Sequence, residues 1–215
     1  MITVQLLGGL GNQLFQAAAG HALARRLGAN LEFDLSRYRE KGIRAFALAP
    51  FRLEARVVTS QSGLVMRASR AIGRVTGLID PLRPPGFSGR IYREPGFRFD
   101  PAFKDLDGNV LLSGYFQSPR YFAGYETEIA QLFAPNKLIS DTARDLARKL
   151  QGEDSVAIHL RRGDYVNDPR AMTIHGVLDA AYYDHAVAYI RAQMPHARLF
   201  VFSDDPAAAH GAAAR

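Results

Sequence analysis

The first 35 residues constrain the fold more than any other stretch. Ile2-Thr3-Val4-Gln5-Leu6-Leu7 reads as a buried strand, and the glycine-rich turn Gly8-Gly9-Leu10-Gly11-Asn12-Gln13 follows it. From Leu14 to Leu27 the spacing of Leu14, Ala17, Ala18, His21 and Ala24 predicts a helix, with Gly28 as its stop. Ala29–Leu35 reads as a second strand. A strand–helix–strand opening points to the α/β class and a parallel sheet.

A second unit of this kind closes the chain. The strand Ser155-Val156-Ala157-Ile158-His159-Leu160 precedes a helix around Ala180–Met194, with Tyr183, Val187, Ile190 and Met194 on one face, and a strand at Ala197–Ser203. Between the two units lie a strand at Asn109–Tyr115 and a mixed-charge helix at Ser140–Leu150. Gln151-Gly152-Glu153-Asp154 breaks the pattern, so the boundary is expected there, giving domains 1–150 and 151–215.

Composition narrows the setting. The chain has no cysteine, so it offers no disulfide framework, thiolate metal site or thiol nucleophile. Met1 leads directly into the first strand without a signal-peptide pattern, and no run approaches the roughly 20 apolar residues of a membrane span. The expected location is the cytoplasm. The net charge of +6 is concentrated between Arg52 and Arg98, where nine arginines face three acids (Glu54, Asp80, Glu94). Leu64, Val65, Ala68, Ala71, Ile72, Val75, Leu78 and Ile79 share one helical face there, with Arg67, Arg70 and Arg74 opposite. That pattern fits a helix packed on the core or a peripheral contact with an anionic membrane at its inner face. The segment lacks the dense lysines and interleaved aromatics of a nucleic-acid binder, and no nucleic-acid partner is expected.

The chemistry concentrates at two strand ends. After Leu160 the chain runs Arg161-Arg162-Gly163-Asp164. Ligands of open α/β sheets bind beyond the carboxyl ends of strands, and adjacent guanidinium forks there suit a diphosphate. Gly163 lets the backbone turn toward such a ligand. Burying two arginines without partners is costly, which favours a functional reading of Arg161 and Arg162 over a structural one. His159 points away from its apolar neighbours; it fits a ligand contact or a satisfied core histidine. Asp164 fits an orienting partner for the arginines better than a general base, because two arginines beside it lower its basicity.

At the first strand end, Gly9-x-Gly11 with Asp34 about 20 residues on resembles a dinucleotide fingerprint. The third glycine position is Leu14, however, and the amides of Asn12 and Gln13 stand where bare backbone should meet a pyrophosphate. Hydrogen bonding to sugar hydroxyls suits Asn12 and Gln13 better. Asp105 and Asp107 flank a turn and read as solvated acids, and His175, His185 and His196 lack zinc-ligand spacing.

Several blocks together carry a family resemblance. Gly8-Gly9-Leu10-Gly11-Asn12-Gln13-Leu14-Phe15-Gln16 is similar to the opening signature of the α-1,2-fucosyltransferases, glycosyltransferase family 11. Tyr115-Phe116-Gln117-Ser118 resembles their middle motif, and Ile158 to Val166 their donor-site motif. His175-Gly176-Val177-Leu178, Tyr182-Tyr183 and Phe202-Ser203-Asp204-Asp205 follow in the family's order.

The resemblance implies a GT-B-like pair of Rossmann-like halves and an inverting enzyme that needs no metal or other cofactor. Such an enzyme moves L-fucose from GDP-β-L-fucose to the 2-hydroxyl of a galactoside, on a free, lipid-linked or surface glycan. By the same resemblance the first half holds the acceptor at Gly9, Gly11, Asn12 and Gln13. The second holds the donor at Arg161, Arg162, Gly163, Ser203 and Asp204, with Arg161, Arg162, Asp164 and His159 as catalytic candidates. Arg161 and Arg162 would stabilise the charge growing on the departing GDP. A non-catalytic sugar- or nucleotide-binding module and a nicotinamide-dependent oxidoreductase are the competing readings. The family also carries a Ser/Trp-rich motif beyond the Ser-Asp-Asp block, whereas this chain has no tryptophan and closes on an Ala-rich stretch, 206–215. The second half is therefore expected to be incomplete, through truncation or a frameshift, and the chain inactive or weakly active.

Overall fold

The computed structural model describes residues 1–39, 45–58, 87–135, 140–160 and 178–205. Two compact units divide the chain, Met1–Leu138 and Ile139–Arg215.

The first unit is built on a parallel five-stranded sheet in the order β3-β2-β1-β5-β4. Its strands are β1 (Ile2–Gln5), β2 (Leu31–Asp34), β3 (Arg56–Val58), β4 (Arg90–Arg93) and β5 (Val110–Ser113). All four residues of β1 are buried, as a central parallel strand requires. The helix α1 spans Leu10–Leu27, so it starts four residues earlier than its apolar spacing suggests. Gly9 is its extended N-cap, and Leu10 to Gln13 form its first turn rather than the end of a loop. Gly28 ends it in the left-handed region at φ 58°, its N–H reaching back to the carbonyls of Ala24 and Arg25.

Helix α1 lies close to the sheet because its buried face is made of small residues: Ala17, Ala18, Ala19, Gly20, Ala22 and Ala24. A Cβ on Gly20 would run into the side chain of Val4 and lie 3.1 Å from Leu31 Cδ1. Close helix–strand packing, which the sequence lacks a glycine for at Leu14, is supplied two turns later by Gly20. Beyond β4 and β5, Tyr92, Phe99, Phe103, Phe116 and Tyr121 form an aromatic cluster. Tyr121 is at its centre, with ring centroids 4.9 Å from Phe99 and Phe103 and 5.2 Å from Phe116. Burial pushes the Tyr121 hydroxyl up to about 12. The short helix α2 (Glu126–Leu132) returns to α1, where Glu128 meets His21 at 3.0 Å and Arg25 at 3.1 Å.

The second unit carries α3 (Asp141–Gln151), β6 (Ser155–Leu160), α4 (Ala180–Gln193) and β7 (Arg198–Ser203). Strands β6 and β7 pair in parallel from Ser155↔Arg198 to Leu160↔Ser203. Tyr183, Val187 and Ile190 are the half-buried residues of α4, as their spacing predicts, whereas Met194 is exposed. The boundary falls at 138/139 rather than 150/151. Helix α3 belongs with the strand it leads into, tied to it by Ser155 Oγ donating to the Leu150 carbonyl at 3.1 Å. Both units are parallel α/β, in keeping with the two Rossmann-like halves expected. Residues 64–79, the amphipathic arginine segment, lie outside the described residues. Among the described residues no helix is long and apolar enough to cross a membrane.

Candidate functional site

In the first unit the strand order reverses between β1 and β5, and the crevice beyond their carboxyl ends is where an open sheet accepts a ligand. Two sequence blocks converge there: the Gly8–Gln13 turn after β1 and the Gly114–Ser118 turn after β5. Gln117 Nε2 donates to Asn12 Oδ1 at 2.6 Å across 105 residues of sequence. The bond leaves Asn12 Nδ2 and Gln117 Oε1 outside it, one donor and one acceptor. Gly11, Tyr115 and Gln117 are exposed, and Asn12 is half-buried. Two amides and a tyrosine on a fixed backbone are suited to hydroxyl-rich ligands.

The backbone of the crevice is fixed by side chains that do not reach the surface. Gly8 is left-handed at φ 80°, and a Cβ there would collide with Asn12 Nδ2. Its carbonyl accepts from Gln13 Nε2 at 3.1 Å and from the Tyr38 hydroxyl at 2.9 Å. Burial pushes Tyr38 up to about 12, so at neutral pH it stays a donor. Gln13 is fully buried; its Nε2 also donates to the Ala45 carbonyl at 2.9 Å, and its Oε1 accepts from Ala47 N at 2.9 Å. Gln13 therefore holds the fold together and does not present its amide to a ligand, which corrects its pairing with Asn12 as a sugar-binding residue. Gln16, given no role by the sequence reading, is equally buried. Its Nε2 donates to the Gly114 carbonyl at 3.0 Å and its Oε1 accepts from Leu7 N at 3.1 Å, so it staples the two turns together.

The dinucleotide reading fails at Asp34. That carboxylate is buried and accepts from Ser36 N at 2.8 Å and Ser36 Oγ at 3.1 Å, so it closes a turn instead of reaching a ribose. Asp105 and Asp107 are exposed beside the left-handed Gly108, as turn residues should be.

In the second unit the strand ends are locked together. Ser203 Oγ donates to the Leu160 carbonyl at 2.7 Å and accepts from Asp205 N at 2.9 Å. The half-buried Ser203 hydroxyl thus anchors the carboxyl edge, while Asp204 is exposed. His159 is exposed on β6, which removes the core-histidine reading. Its carbonyl accepts from the Tyr183 hydroxyl at 3.4 Å. Arg161, Arg162, Gly163 and Asp164 follow the last residue of β6 and lie outside the described residues, as does His175.

Comparison with known proteins gives this arrangement a family. An alpha-1,2-colitosyltransferase of Escherichia coli is 30% identical over 209 residues, covering 95% of this chain and 69% of that protein. The chain belongs to glycosyl transferase family 11. The pattern of that family matches residues 102–208, a stretch that takes in the Gly114–Ser118 turn and both strands of the second unit. The O-antigen biosynthesis glycosyltransferase WbnK of Escherichia coli is 29% identical over 218 residues, covering 93% of this chain and 71% of that one. The crystal structure of NodZ alpha-1,6-fucosyltransferase soaked with GDP-fucose aligns over 95% of this chain and 71% of that chain, with TM-score 0.46 and 16% identity. Membership of family 11 makes this chain a glycosyltransferase, and the oxidoreductase reading is set aside.

Proposed function

We propose that the protein catalyses inverting transfer of L-fucose from GDP-β-L-fucose to the 2-hydroxyl of a galactoside. The acceptor oxygen attacks C1 of fucose from the face opposite the diphosphate. The C1–O bond breaks with its electrons going to the β-phosphate oxygen, and the acceptor proton passes to a base. The observation that carries the reading is the Asn12–Gln117 amide pair at the switch point, where two blocks distant in sequence meet. In this scheme the first unit holds the galactoside through Asn12 and Gln117, with Gly9 and Gly11 keeping the approach open. The second unit holds the donor. Arg161 and Arg162 bind the diphosphate and stabilise its growing charge, Gly163 admits the ligand, and Asp164 orients the guanidinium groups. His159, exposed one residue before the end of β6, precedes them in sequence, and Asp204 follows Ser203, the residue that β7 pairs with Leu160. The two guanidinium groups supply the positive charge, and the reaction proceeds without a metal.

A second donor has a specific observation in its favour, the 30% identity to a colitosyltransferase. Colitose lacks the 3-hydroxyl that L-fucose carries, so the two donors test one contact. The experiment offers GDP-fucose and GDP-colitose separately to the purified protein with galactoside acceptors, and reads the linkage by NMR. A weakly formed α-1,2-linked fucosyl product is expected. Transfer from GDP-colitose alone, or a product linked elsewhere on galactose, would overturn the assignment. The arginine-rich composition of the stretch between Arg52 and Arg98 suits peripheral contact with an anionic lipid surface.

A further inference from the structure

Glu94 follows β4 directly and belongs to none of the sequence blocks that resemble the family. Its Oε2 accepts two successive backbone N–H groups, Tyr115 at 2.7 Å and Phe116 at 2.8 Å. Its Oε1 is buried and accepts no bond of standard geometry, although the Tyr121 hydroxyl faces the carboxylate. A carboxylate is costly to withdraw from water in such a place, and its retention calls for a reason.

The reason lies in the turn it holds. Phe116 has φ 52° and is the sole non-glycine residue with positive φ among the described residues. A bulky side chain in that region is strained and persists only where its surroundings enforce it. Two features enforce it here. The Phe116 ring is fully buried against Tyr92, Phe103 and Tyr121. The Glu94 carboxylate gathers the two amides onto one oxygen, the geometry of a backbone anion nest. Gly114 makes room for this: a Cβ there would strike Glu94 Cβ and lie 2.8 Å from Oε2. The next residue along is Gln117, bonded to Asn12.

We propose that Glu94 is the positioning residue of the switch-point crevice: by fixing the left-handed Tyr115–Phe116 turn it sets Gln117 against Asn12. Its kinetic consequence rests on the fucosyl-transfer reading; its structural consequence does not. The test is a double-mutant cycle of Glu94→Ala with Asn12→Ala on the full chain. Glu94→Gln serves as the conservative variant and Gly114→Ala as an independent way to displace the carboxylate. Transfer from GDP-fucose to a galactoside is measured together with amide exchange across residues 110–118.

Glu94→Ala and Gly114→Ala are expected to speed exchange at Tyr115 and Phe116 at least tenfold while the β5 amides keep their protection. Both should raise the acceptor KM about tenfold with kcat changed less than threefold. Glu94→Gln, which keeps an accepting oxygen, should stay within threefold of wild type. In the Asn12→Ala background, Glu94→Ala should cost less than threefold more. Equal costs with and without Asn12 would mean a merely structural role and overturn the proposal, as would unchanged exchange at Tyr115 and Phe116. If the wild type does not transfer fucose, the functional reading alone fails and the exchange result decides the role of Glu94. If Glu94→Ala does not fold, Glu94→Gln and Gly114→Ala carry the same comparison.

Discussion

Asn12 and Gln13 are adjacent amides of nearly the same chemistry, and the structure predicts opposite consequences for losing them. Gln13→Ala removes three hydrogen bonds from a fully buried site. The Gly8 carbonyl keeps its bond from Tyr38, so two backbone groups are orphaned, the Ala45 carbonyl and the Ala47 N–H. Leaving the half-buried Ala47 N–H unpaired costs about 1–3 kcal/mol, and the carbonyl of the exposed Ala45, which water can reach, roughly 0.5–1 kcal/mol. The vacated volume adds roughly 1 kcal/mol, giving on the order of 4 kcal/mol in all. For a unit of this size that corresponds to a fall in melting temperature of roughly 10–15 °C. Asn12→Ala removes one bond, to the exposed Gln117, at about 0.5–1 kcal/mol, and its melting temperature should fall by no more than about 4 °C. Its kcat/KM for the acceptor should drop at least tenfold. Unfolding is followed by circular dichroism, since the chain has no tryptophan, and transfer is measured below the wild-type melting range. Gln13→Met, which fills the volume but leaves the orphans, should recover only the cavity part. A Gln13→Ala protein that melts within 2 °C of wild type would refute the reasoning and return Gln13 to the ligand site.

Other expectations follow from the proposed reaction and from the packing of the first unit. Arg161→Ala and Arg162→Ala should each lower kcat on the order of 10²–10³. Chelation with EDTA should leave the wild-type rate unchanged; loss of activity restored by a divalent cation would refute the metal-free scheme. Gly20→Ala gains up to about 1 kcal/mol of helix propensity but forces a Cβ against Val4, and overpacking costs about 1–3 kcal/mol, so denaturation should show a net loss of stability. The His21 hydrogen bond, with Arg25 nearby, lowers Glu128 below its ordinary 4.5. Its stabilisation is therefore present above that value and lost as pH falls through the lowered one. Melting temperatures of wild type and Glu128→Gln should differ at pH 7 and converge below 4.5.

Strands β1, β2, β5, β6 and β7 and helices α1, α3 and α4 were legible because apolar runs and turn glycines repeat at the right spacing; β3 and β4, three and four residues long and bearing arginines, and the single short helix α2 carry too little periodicity to be read. The division of labour among the amides was harder to read. Placing the start of α1 at Leu14 left Gln13 in a loop and made it look like a ligand group. With the helix starting at Leu10, Gln13, Gln16, Ala17, Gly20 and Ala24 fall on one buried stripe, and Asn12 falls off it. The signal was present, but polar residues at the head of a buried face interrupt the hydrophobic pattern that would reveal it. Glu94 left no comparable trace. Its partners are backbone N–H groups 21 and 22 residues away, and a side chain that binds main chain imposes no pattern on the residues it holds.

These assignments share a physical cause. Where β1 and β5 end, the sheet ladder stops and the turn backbone needs other hydrogen-bond partners. Water could satisfy those groups but would leave the turns free to move. The buried Gln13 and Gln16 and the half-buried Glu94 satisfy them instead, and the cost of ordering these side chains is met once, on folding. The polar groups left over, Asn12 and Gln117, sit on a backbone already fixed from beneath. Because each amide puts one group into their mutual bond and retains the other, a sugar hydroxyl that donates to Gln117 Oε1 and accepts from Asn12 Nδ2 need not break that bond. A site prepared this way loses little freedom on binding, which is the condition for holding an acceptor hydroxyl in line for attack.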